Sequence, residues 1–67
     1  MNASLLRGAI AEAGHTQESA AKAAGISRSA FNAKINGHRS FDIDEATALC
    51  KVLEINDLEK RAKIFLS

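Results

Sequence analysis

Apolar residues recur along this chain at intervals of three and four, and no segment alternates with period two, so the pattern predicts helices throughout and no strand. Leu6, Ile10 and Ala13 form one stripe, flanked by Leu5 and Ala9, which predicts a first helix from Ala3 to about Ala13. Gly14 stands where a helix-ending glycine belongs. Thr16 is placed to cap a second helix, Gln17 to Ala24, which stops at Gly25. Ser27 opens a third, Arg28 to Ile35, ended by Asn36-Gly37. Asp42 and Glu45 have the spacing of a capping box and predict a fourth helix running to about Leu53. Asn56 and Glu59 repeat that spacing ahead of a fifth helix ending near Phe65. The fold expected is therefore all-α, a compact bundle of about five short helices in a single domain over residues 1–67. Short connections make successive helices neighbours.

The expected core is Leu6, Ile10, Ala20, Ala21, Ala24, Ile26, Phe31, Ile35, Phe41, Leu49, Val52, Leu53, Leu58 and Phe65. With three Phe, no Trp and no Tyr, this core is built from few large side chains. A chain of this size buries only about 60% of its surface on folding, so modest stability is expected unless it dimerises.

Charge adds a direction. The formal net charge is +1. Arg7, Lys22, Arg28, Lys34 and Arg39 against Glu12 and Glu18 leave residues 1–41 at +3, whereas six carboxylates against four cations leave residues 42–67 at −2. A polyanion is expected to dock on the first part. The lone cysteine, Cys50, has no partner for an internal disulfide and suits a reducing cytoplasm. No signal peptide is expected at the N-terminus, because Arg7 and Glu12 interrupt its apolar stretch. No apolar run approaches the roughly 20 residues that span a bilayer. His15, His38, Cys50 and the scattered carboxylates show neither metal-ligand spacing nor a nucleophile–base pair, so no enzyme, metal, cofactor or small-molecule ligand is expected.

Function concentrates in residues 16–37, TQESAAKAAGISRSAFNAKING. Two helices are joined by Gly25-Ile26-Ser27. Ala21 offers a flat face where the helices cross, Gly25 can take positive φ at the turn, and Ile26 pins that turn to the core. With Phe31 at the centre of the buried face and about 100° per residue, Ser27 and Ile35 lie within roughly 40° of it. Ser29, Asn32, Ala33 and Asn36 then lie about 100–160° away, on the outward face.

This segment resembles the helix-turn-helix of phage Cro and CI-repressor domains and of xenobiotic-response-element-type regulators. The shared features are the Thr-Gln start, the Ala at the crossing, Gly-hydrophobic-Ser at the turn and the Asn-Gly ending. The stretch KINGHRSFDIDEATALCKVL (34–53) is similar to small phage-encoded members, and the likeness extends over about residues 3–65. Two positions depart from the pattern. Ala20 replaces a larger aliphatic side chain, and Lys34 stands at an aliphatic core position, whose packing Ile35 is expected to take over.

The resemblance implies a lambda-repressor-like fold and a cytoplasmic regulator that binds double-stranded DNA with its third helix in the major groove. Arg28, Ser29, Asn32 and Ala33 are the base-contact candidates. Arg28 can donate twice to guanine or else hold a phosphate, Asn32 can pair with adenine, Ser29 can donate or accept, and the Ala33 methyl can touch thymine. Gln17, Asn36, His38 and Arg39 are the candidates for contact with the DNA backbone. A homodimer on a two-fold-related operator is expected, with the fifth helix as a source of dimer contacts. The alternative is a helical module that kept the fold but binds protein, as an antitoxin or antirepressor component does; the low net charge favours it.

Overall fold

The computed structural model describes residues 1–66, which form five helices: α1 (Ala3–Glu12), α2 (Gln17–Ala23), α3 (Arg28–Ile35), α4 (Ile43–Val52) and α5 (Leu58–Phe65). Among the described residues there is no strand, and the expected boundaries hold to within a residue. The reason is local: almost every end is written in capping chemistry. Thr16 accepts the Ser19 N–H while the Ser19 hydroxyl accepts the Thr16 N–H; Asp42 and Glu45 exchange the same two bonds. Ser27 caps α3 by accepting from Ala30 at 3.2 Å. The fifth helix differs from expectation. Its cap is Asp57, not Asn56, and the Asp57 carboxylate accepts the Glu59 N–H at 2.9 Å. A carboxylate at this position also complements the positive end of the helix, which an amide does less well.

The turn between α2 and α3 is a Schellman motif. Ile26 N–H donates to Ala21 C=O at 2.9 Å and Gly25 N–H to Lys22 C=O at 3.1 Å, which holds Gly25 at φ +74°. Ile26 is thereby carried into the core. The same pair of bonds ends α4, from Ile55 to Cys50 and from Glu54 to Lys51, but there Glu54 occupies the left-handed position at φ +56°. It is the one described residue other than glycine with positive φ.

The core gathers Leu6, Ile10, Ala20, Ala21, Ile26, Phe31, Ile35, Leu49 and Leu53 as expected. Helix α2 is central, packed on α1, α3 and α4, while α1 also packs on α5. Ala24, Phe41, Val52 and Phe65 are partly buried against this cluster. Ala9, Ile55 and Ile64 join it without having been expected there, Cys50 is a small core residue of α4, and Ala46 is also buried. Leu58 does not belong: it is 79% exposed, and Ile64, at 1%, fills the α5 contribution instead. The two lie about 120° apart around the helix, so α5 cannot bury both. Two ring contacts bridge distant segments: Phe31 meets Phe41 edge-on at 5.7 Å, and Phe41 meets Phe65 at 5.9 Å, a row from α3 through the following loop to α5.

Candidate nucleic-acid interface

The third helix is anchored by one side and displayed by the other. Phe31 and Ile35 are buried at 3% and 1%, and Lys34 is buried beside them. Ile35 does take over the packing that Lys34 gives up, but Lys34 does not turn outward. Its ammonium reaches the Glu45 carboxylate at 2.5 and 2.6 Å, and Glu45 also accepts the Asp42 N–H at 3.0 Å. The pair ties the C-terminal half of α3 to the first turn of α4. The Lys34 ammonium, followed by the Asp42 N–H, holds the Glu45 carboxyl below the usual carboxylate range. Sequence reasoning treated Lys34 and Glu45 separately; 11 residues apart, they carried no local sign of their pairing.

On the opposite side Arg28, Ser29, Asn32 and Asn36 are exposed, and Ala33 is half-buried. Gln17, Arg28 and Asn32 line one small cleft of about 130 Å³ between α2 and α3, floored by Ala21 and Phe31. The structure thus brings together one residue expected at the DNA backbone and two expected at bases. Asn36 connects to the same surface through Asn32, to which its Nδ2 donates at 3.3 Å. Its Oδ1 accepts from Arg7 Nη2 at 3.1 Å. Arg7 was absent from the expected site, because a contact across 29 residues leaves no mark on local spacing. His38 and Arg39 are exposed on the loop after α3. Arg39 also lines the rim of a second groove, formed by the 39–43 loop, α4 and α5.

That groove, of about 540 Å³, is lined by Met1, Phe41, Ile43, Leu58, Phe65 and Leu66, with Arg39, Asp42 and Arg61 at its polar edges. Ile43, Leu58 and Leu66 are each about 80% exposed. Exposed large apolar side chains grouped in this way make the groove a candidate contact surface.

An alanine-floored helix pair, joined through a positive-φ glycine and presenting polar side chains on the second helix, defines a helix-turn-helix domain. Comparison with protein families agrees: the helix-turn-helix family of Cro/C1 type matches residues 6–60, so the chain belongs to that family, and its fold is that of a DNA-binding regulator. Neither the curated proteins nor the solved structures include a match to the chain. No helix among the described residues is long and apolar enough to cross a membrane.

Proposed function

We propose that this chain is a cytoplasmic transcription regulator of the phage Cro/repressor kind, binding a two-fold-related operator with α3 in the major groove of each half-site. The observation that carries the reading is the division of α3 into two faces. Phe31, Lys34 and Ile35 fix its position, while Arg28, Ser29 and Asn32 are exposed on a surface of short side chains that lets the helix approach base edges. Arg28, Ser29, Asn32 and Ala33 are assigned to bases. Gln17, Asn36, His38 and Arg39 border that face and are assigned to the DNA backbone, Asn36 together with the Arg7 guanidinium bonded to it.

The active unit proposed is a homodimer joined through the α5 groove. Ile43, Leu58 and Leu66 supply the apolar contact; Ile64, on the core side of α5, is buried and unavailable. Arg39, Arg61 and Asp42 give the rim both signs of charge, which a two-fold axis can set against each other. With Cα extents of 28 × 23 × 20 Å, two abutting copies are of the right size to place their third helices about 34 Å apart.

A second reading, a protein-binding module that retained the fold, draws on the same groove. Selection of bound duplexes from a random pool separates the two. A regulator enriches a short site with two-fold symmetry and half-sites one helical turn apart. An interaction module enriches nothing above a scrambled control.

A further inference from the structure

We propose that Arg7, on α1, sets the hydrogen-bonding polarity of Asn32 through Asn36, so that Asn32 presents N–H donors to the groove and selects guanine over adenine. The inference rests on the DNA-binding reading of α3 and specifies what one of its residues reads.

A carboxamide has an acceptor end and a donor end of nearly the same shape, so half a turn of the side chain exchanges what it offers. Something outside the amide must decide between the two. Here the decision falls to Arg7, because a guanidinium has five donors, no acceptor, and does not lose its proton. The end of Asn36 that meets Arg7 at 3.1 Å is therefore its oxygen. The opposite end is Nδ2, which lies 3.3 Å from Asn32 and can only donate to it. The end of Asn32 facing Asn36 must then be Oδ1, and Nδ2 is the end left for a ligand. Donor-only chemistry at Arg7 thus propagates through two amides to the exposed surface shared with Arg28 and Ser29.

The major groove distinguishes the two orientations. Guanine offers two acceptors there, O6 and N7, whereas adenine pairs an acceptor with the N6–H₂ donor and cytosine offers a donor. An unrestrained asparagine matches adenine with both ends, as the side chain alone suggests. With the Oδ1 end held towards Asn36, the outward Nδ2 matches the paired acceptors of guanine better than the single O4 acceptor of thymine or the mixed edge of adenine.

Asn36→Asp provides the reversal. A carboxylate accepts on both sides, so it keeps the Arg7 bond and obliges Asn32 to donate to it, which turns the Asn32 oxygen outward. Arg7→Met removes the external donor and frees the polarity, while Arg7→Lys keeps a donor-only cation. The experiment is random-pool selection with the parent and with Asn32→Ala, Asn36→Asp, Arg7→Met and Arg7→Lys, each first shown to be folded by its thermal transition. Asn32→Ala identifies the position that Asn32 reads. At that position the parent and Arg7→Lys are expected to prefer guanine, and Asn36→Asp is expected to shift by about tenfold towards adenine or cytosine. Arg7→Met should lose most of the guanine preference. The added negative charge of Asn36→Asp weakens binding at every sequence equally, so it cannot produce a shift confined to one position. Adenine preferred by the parent, an unchanged preference in Asn36→Asp, or no position altered by Asn32→Ala overturns the proposal while DNA binding stands. A parent that enriches no sequence overturns the DNA reading itself.

Discussion

Replacing Lys34 by Met keeps an unbranched apolar stem, one atom shorter, at this buried position but removes the ammonium that faces Glu45. The side chains of the pair are 8% and 19% exposed, so its environment lies between a surface pair and a fully buried one. Exposed pairs contribute about 0.2–1 kcal/mol, whereas removing one partner of a buried pair costs roughly 3–5 kcal/mol. Glu45 keeps its bond from the Asp42 N–H and some access to water, which places the expected loss at about 2–3 kcal/mol. A 67-residue domain has roughly 3–10 kcal/mol of stability in all, so this loss is a large share. Thermal unfolding followed by far-UV circular dichroism should show Tm lower by about 10–20 °C.

The effect should also depend on pH. Glu45 titrates lower in the folded state than in the unfolded one, so its contribution is complete above the ordinary carboxylate range and is lost as pH falls through its own lowered value. The gap between the parent and Lys34→Met should therefore be widest near neutrality and narrow on going to about pH 3. Adding Glu45→Gln to Lys34→Met, which keeps a cap for Asp42 but removes the orphaned charge, should restore much of the loss. If Lys34→Met is as stable as the parent at neutral pH, or if the double-mutant cycle gives a coupling below about 0.5 kcal/mol, the pair does not hold α3 in place.

Glu54→Gly should stabilise the domain by about 0.5–1 kcal/mol, since it relieves a left-handed residue costing roughly 1–2 kcal/mol and loses part of that to a freer unfolded chain; a lower urea midpoint would contradict this. Cys50 is buried, and burial pushes its thiol pKa up, so a thiol reagent near neutral pH should react at least about a hundredfold slower than in denaturant. Equal rates would mean the α4 face is open. Ser29→Ala should change base preference with little effect on nonspecific affinity. Arg39→Ala should weaken all duplexes alike and flatten the dependence on salt, and a base-specific effect of Arg39→Ala would reverse that division.

The legible part of this fold was the part written in neighbouring residues. Thr16, Ser27 and Asp42 act on N–H groups three positions away, and Gly25 acts on its own φ, so α2, α3 and α4 could be placed from sequence alone. The α5 start was displaced by one residue because Asn56 and Asp57 are both competent caps. The outward face of α3 was legible too, since Phe31 fixes the helix's rotation. Its supports were not. Lys34 sits about 60° from Phe31 and was inside the buried face by geometry, but its partner lies on another helix. Arg7 reaches Asn36 only after α1 and α3 have docked.

The central claim, that the α3 surface binds duplex DNA, is tested most directly by measuring affinity for a labelled duplex across a salt series. Phosphate contacts release counterions, so the logarithm of affinity should fall linearly with the logarithm of salt at about −0.9 per phosphate neutralised; Arg39 and its symmetry mate alone account for a slope of about −1.8, and every further cation engaged steepens it. Absence of binding to any duplex at about 50 mM salt, or binding with a slope near zero, would contradict the account.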